Sequence, residues 1–293
     1  MTDHLFELVA PARWSVPLVF SSPHSGTHLP AELLQMSRLG MRDLRASEDS
    51  HVDDLFLGCV EAGAPMLRAL ASRAFLDLNR EPYELDARLF SEPLPGYMNP
   101  GSPRVAAGFG TIPRFAGEGL EIYRGRIPLA EAIRRIENIY KPYHRTLNAL
   151  LHEGQAATGI VLLMDCHSMP STAARPVAAT SRQVDVVMGD RFGTACAAEI
   201  SDAVETFLTG EGLHLVRNRP YAGGFITEAY GAPHHGRHAI QLEVNRNLYM
   251  NEQTLERLPS FSAIKLIFDR LATKLGKIMN EYKSSGHYSL AAE

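Results

Sequence analysis

Gly159-Ile160-Val161-Leu162-Leu163-Met164-Asp165-Cys166-His167-Ser168 is the stretch on which the reading of the fold turns. Its first half carries no polar side chain, and its second half is an acid, a thiol, an imidazole and a hydroxyl. A short run that is apolar at odd and even positions alike reads as a strand buried on both faces, the kind found in parallel sheets covered by helices. Polar, reactive groups at its exit sit where open α/β sheets bind ligands, beyond the carboxyl ends of their strands.

The same pattern recurs on either side. Residues 16–20 form a short apolar run that enters Ser21-Ser22-Pro23-His24-Ser25-Gly26. Residues 73–80, 184–188, 214–216 and 238–246 read as further strands, and Glu243 lies within the last of them. Between them, 30–39, 49–62, 128–153, 191–208 and 254–282 carry helical spacing. Pro142 is expected to kink the third and Pro259 to divide the last near its start. This alternation predicts an α/β fold: a doubly wound, mostly parallel mixed sheet with helices on both faces. No linker divides the chain, so 1–293 reads as a single domain with a long irregular, Pro- and Gly-rich insertion at about 81–125.

Composition narrows the function classes. An apolar share of 45% in 293 residues suffices for a core, which excludes a disordered chain. The net charge of −4 and the lack of a basic tract speak against a nucleic-acid partner. No apolar run has the length of a membrane helix, and the N-terminal residues lack the pattern of a signal peptide. Three cysteines without CxxC spacing fit a reducing, cytoplasmic setting. Oligomeric state is not legible.

His24 and His167 follow apolar strands, and Glu243, Arg73, Asn79 and Arg80 also fall near strand ends. Any one of these histidines alone reads as a loop residue bonded to a carbonyl. Two at equivalent strand ends favour a metal, and hydrolytic zinc commonly takes two histidines and a carboxylate. The third ligand is sought in Glu48-Asp49-Ser50-His51-Val52-Asp53: Asp49 is chosen and His51 is next, against the plainer reading of an acidic helix start. Asp165 is a candidate to orient a ligating imidazole. Glu243 lies among Ile240, Leu242 and Val244, where a carboxylate is costly unless paired or functional. A salt bridge to Arg246 or Arg73 competes with the role of general base. The loops Tyr221-Ala222-Gly223-Gly224 and Pro233-His234-His235-Gly236-Arg237 are glycine turns near the last strand.

Pro23-His24-Ser25-Gly26, Glu48 to Asp53, Asp77-Leu78-Asn79-Arg80, Gly110-Thr111-Ile112-Pro113-Arg114, Glu121-Ile122-Tyr123-Arg124, Pro142-Tyr143-His144, Asp165-Cys166-His167-Ser168 and Gln241-Leu242-Glu243-Val244-Asn245-Arg246 together resemble the N-formylglutamate amidohydrolases. The family is similar in fold to zinc-dependent exopeptidases and aspartoacylases (a phosphorylase/hydrolase-like fold). The resemblance implies one divalent metal, zinc first, held by His24, His167 and an acid. That acid must come from elsewhere than the exopeptidase position, which is Thr27 here. It also implies Glu243 as base, Arg73 as the carbonyl-polarising arginine, and Asn79 with Arg80 as the carboxylate-binding pair. The expected activity is hydrolysis of N-formyl-L-glutamate to L-glutamate and formate, in histidine degradation. A dicarboxylate substrate calls for a second cation, Arg237 or Arg246. The competing readings are a related N-acyl-amino-acid deacylase or metallocarboxypeptidase, and a non-catalytic metal-binding protein.

Overall fold

The computed structural model describes residues 5–174 and 182–284. Among them seven strands form one mixed sheet: β1 (Phe6–Val9), β2 (Leu18–Ser22), β3 (Met66–Ala69), β4 (Val161–Met169), β5 (Val186–Gly189), β6 (Leu215–Arg217) and β7 (Arg237–Asn245). Their order is β1-β3-β2-β4-β7-β5-β6. β2 pairs with β4, β4 with β7 and β5 with β6 in parallel, whereas β5 runs antiparallel to β7. This is the expected mostly parallel α/β architecture.

The chain folds into two compact units. One comprises Leu8–Ser22, His51–Leu67 and the described residues from Asn148 on, and it holds β2, β4, β5, β6 and β7. Every residue of β4 is buried. Its even positions, Leu162, Met164 and Cys166, join Ile240, Leu242 and Val244 of β7 in the main hydrophobic core. The helices Val52–Phe56, Ala198–Gly210 and Phe261–Ser284 pack together over that core, contributing Leu55, Phe56, Ile200, Val204, Phe268 and Leu275. The odd positions of β4 change character along the strand, from Val161 and Leu163 to Asp165 and His167. One face of the sheet therefore turns polar near its end.

The other unit comprises the described residues up to Glu7, Pro23–Ser50 and Arg68–Leu147. It has little repetitive structure beyond the helices Ala31–Met36, Met41–Leu44 and Leu129–Arg135, the π-turn Ile136–Tyr140 and the start of the helix Lys141–Thr158. The segment 81–125 holds only a 3-10 turn, Ala87–Leu89, and a one-turn helix, Pro103–Ala106, in which the Val105 N–H is capped by the Ser102 hydroxyl.

Several expectations are corrected. Residues 73–80 are a series of turns. Phe75, Leu76 and Leu78 are buried there without a ladder, and the apolar content that suggested a strand serves packing alone. The strand of this region is β3, just upstream. Asp165 to Ser168 lie inside β4, not beyond it, because β7 stays in register with them through Asn245. The 49–62 helix is two short ones, Val52–Phe56 and Gly58–Glu61, and His51 enters the first with a left-handed backbone at φ 66°. Pro142 is accommodated by the π-turn that precedes it, whose wider ring moves the upstream carbonyls away from the pyrrolidine. Pro259 precedes the last helix and does not divide it.

Candidate active site

The β4–β7 register places His167 opposite Glu243 and Asp165 opposite Gln241. Paired residues of parallel strands share a face, and successive odd positions do too. Asp165, His167, Gln241 and Glu243 thus form a polar square on the sheet face opposite the main core. His167 Nε2 lies 3.0 Å from Asp165 Oδ1, and the Thr227 hydroxyl reaches Asp165 Oδ2 at 3.5 Å. The Glu243 Oε1 accepts a 2.7 Å hydrogen bond from the Gln241 amide, whose own oxygen accepts from the Gly224 N–H at 2.7 Å. That chain orients the carboxylate from the loop that caps the Phe225–Tyr230 helix. The loop lies close over β5: a Cβ on Gly189 would sit 2.6 Å from the Ala222 and Gly223 backbone. Glu243 retains 8% exposure, so it is nearly but not fully withdrawn from solvent. Arg246, the first residue past β7, donates from Nε to the Ser168 hydroxyl at 3.0 Å.

The second group centres on Asp77, which is 1% exposed. Its Oδ1 accepts from His24 Nε2 at 2.6 Å and from the Asn79 N–H at 2.9 Å. Its Oδ2 accepts from Arg73 Nη2 at 2.7 Å and faces Arg80 Nη2 at 3.5 Å. Burial pushes the Asp77 carboxyl up, but Arg73, Arg80 and His24 outweigh it and hold it well below the usual carboxylate range. The carboxylate is therefore ionised. With Nε2 bonded to Asp77, the ring nitrogen of His24 that remains is Nδ1. That nitrogen is 3.4 Å from Asp49 Oδ2, so an imidazole nitrogen and a carboxylate oxygen, both ligand types of zinc, lie side by side. The backbone sets the pair: the Asp49 N–H donates to the His24 carbonyl at 3.0 Å. Gly26 makes the turn possible, since a Cβ there would lie 2.2 Å from the Ala71 carbonyl oxygen.

His24, Asp49 and His167 are all buried, and each offers a ligand atom within 4.8 Å of the others. Among the described residues this is the group of His, Cys, Asp and Glu that can hold a metal ion. His24 Nε2 is bonded to the Asp77 carboxylate, the usual way of fixing a ligating imidazole, and His167 Nε2 lies near the Asp165 carboxylate. His51 has other work. Its Nε2 donates to the Leu255 carbonyl at 2.9 Å and its Nδ1 faces Arg257 Nε at 3.3 Å.

One sequence expectation about the arginines changes. Arg237 opens β7, six residues from Glu243, and about 20 Å of strand separates them. It donates to Gln155 Oε1 and to His152 instead. Arg80 is anchored from Nε to the Phe109 carbonyl and from Nη1 to the Asn79 carbonyl, both at 2.8 Å, which uses two of its five N–H groups. Residue reading gave no role to Asp77, the hub of the second group, nor to Gln241. The signal was an acid at the end of an apolar segment, two residues before Asn79-Arg80.

A family model described as N-formylglutamate amidohydrolase matches residues 16–250. The chain belongs to that family. Among curated relatives of the family, an N-formylglutamate deformylase of Pseudomonas aeruginosa is 33% identical over 254 residues, covering 84% of this chain and 87% of its own. One from Pseudomonas putida is 29% identical, covering 81% and 83%. A crystal structure of N-formylglutamate amidohydrolase from Ralstonia eutropha matches with a TM-score of 0.89 at 32% identity, over 95% of this chain and 99% of that one. Among the described residues no helix is long and apolar enough to cross a membrane.

Proposed function

We propose that this protein hydrolyses N-formyl-L-glutamate to L-glutamate and formate, with one divalent metal ion, zinc first, held by His24, Asp49 and His167. The observation that carries the reading is the buried group of these three side chains with a carboxylate beside each histidine, in a member of a deformylase family. Two imidazoles and a carboxylate suit zinc and leave a coordination position open for catalysis. Such an ion, when bound, acidifies water and polarises a carbonyl.

The chain's own residues supply the rest. Glu243, oriented by Gln241, takes a proton from the attacking water and delivers it to the departing amine nitrogen. The water oxygen forms the new bond to the formyl carbon as the C–N bond breaks, so formate and a free amino group result. Arg73 offsets the negative charge that develops on the formyl oxygen. Asn79 and Arg80 hold one substrate carboxylate and Arg246 the other, which binds the substrate in the site. Arg237 is left out of the assignment. The reading fits a cytoplasmic enzyme that closes histidine degradation.

The test is release of formate from N-formyl-L-glutamate, beside the N-acetyl and N-succinyl analogues, on protein of measured metal content. One zinc per chain, loss of activity on chelation and its return with zinc are expected, with the formyl compound the best substrate. Full activity in metal-free protein refutes the metal assignment. Preference for a larger acyl group refutes the substrate and points to a related deacylase.

A further inference from the structure

Residues 75–79 are buried and Arg80 half-buried, yet they lie outside any strand, so their carbonyls need donors that no strand provides. Three come from the segment 135–144. Arg135 Nη1 donates to the Phe75 carbonyl at 2.9 Å, Tyr140 Oη to the Arg80 carbonyl at 2.5 Å, and His144 Nε2 to the Leu78 carbonyl at 2.9 Å. The Arg135 guanidinium also stacks on the Phe75 ring at 3.9 Å and donates to the Tyr123 hydroxyl at 2.8 Å. The His144 ring stacks on Tyr140, with centroids 4.1 Å apart.

A regular helix cannot present these three together. At 3.6 residues per turn Tyr140 would stand about 140° around the axis from Arg135. The π-turn Ile136–Tyr140 removes the mismatch, with the Lys141 N–H bonded to the Ile136 carbonyl, five residues back. Holding one extra residue, it puts Tyr140 and His144 where the fourth and eighth residues after Arg135 would be, on the same face.

We infer that Arg135, Tyr140 and His144, aligned by the π-turn, are positioning residues that splint the 75–80 segment and so set the place of Asn79 and Arg80 toward substrate. The inference rests on the N-formylglutamate reading. Because Asn79 and Arg80 hold a carboxylate in ground and transition state alike, the splint acts on KM more than on kcat.

Tyr140→Phe removes one hydroxyl and keeps the ring. His144→Leu removes a donor, and His144→Gln restores one. On the metal-loaded enzyme, Tyr140→Phe and His144→Leu should each raise KM for N-formyl-L-glutamate about fivefold or more with kcat within about twofold, and His144→Gln should recover most of the loss. Backbone amide exchange in 74–80 should quicken about tenfold in the first two, with the Phe261–Ser284 helix unchanged. Unaltered KM in both variants, or exchange that quickens equally in the Phe261–Ser284 helix, overturns the splint. Exchange distinguishes this failure from that of the substrate reading: a wild type inert toward N-formyl-L-glutamate sinks the deformylase, and the exchange pattern still judges the splint.

Discussion

Replacing Asp77 by asparagine changes one atom and should unsettle the group built on it. The carboxylate takes donors on both oxygens, His24 and the Asn79 N–H on one, Arg73 and Arg80 on the other. An asparagine keeps one acceptor and turns the other into a donor. Placed toward the arginines, that donor faces two cations; placed toward His24, it meets the imidazole N–H and forces the other tautomer. Gross attraction at an effective dielectric near 20 is about 6 kcal/mol at the 2.7 Å contact with Arg73 and about 5 at the 3.5 Å contact with Arg80, most of it offset by desolvation. Removing one partner of such a buried group leaves the others uncompensated, at a net cost of about 3–5 kcal/mol. Urea unfolding at neutral pH should show that loss in Asp77→Asn as a lower midpoint with an unchanged slope. Metal affinity should fall about 10–100-fold, because Asp77 fixes the His24 tautomer. A loss below about 1 kcal/mol together with wild-type metal affinity would refute the reasoning, since it would mean that the four donors are served without the charge.

Glu243→Gln should keep its metal and its melting temperature while kcat drops about 10²–10⁴-fold, measured on one preparation; near-normal turnover in loaded protein would remove Glu243 as base. Gly26→Ala forces a methyl against the Ala71 carbonyl and should cost about 1–3 kcal/mol in calorimetric stability, with metal content falling as the His24 turn shifts. Burial lowers His238 from its ordinary 6.5 to about 4, so the neutral ring is favoured in the fold and the unfolded chain binds the extra proton between those values. Stability from this residue is complete above pH 6.5 and falls as pH drops toward 4, by about 3 kcal/mol in all. A denaturation series over that range in wild type and His238→Gln should differ in slope, and parallel curves would contradict the assignment.

The primary sequence by itself determined the sheet's central strands and the residues at their ends. An apolar run such as 159–164 leaves few alternatives to a buried parallel strand, and local chemistry marks His24, His167 and Glu243 as groups that are costly to bury without purpose. Family motifs spread from Pro23 to Arg246 added the order of the site. The 73–80 segment was misread because buried turns and buried strands draw on the same apolar residues, and periodicity does not separate them at that length. Arg237 and Glu243 are close in sequence, but an extended strand carries them apart, so neighbourhood along the chain misled. Tertiary structure alone decided the rest. Asp77 became a hub because His24, 53 positions away, and two arginines of its own turn meet on its carboxylate. That His51, the second candidate ligand, is bonded to the Leu255 carbonyl was visible only in the fold. The alignment of Arg135, Tyr140 and His144 came from one wide helical turn that no residue pattern announced. Each depends on hydrogen-bond partners distant in sequence or on a local change of helical register, and both are set by satisfying buried polar groups once the core has formed.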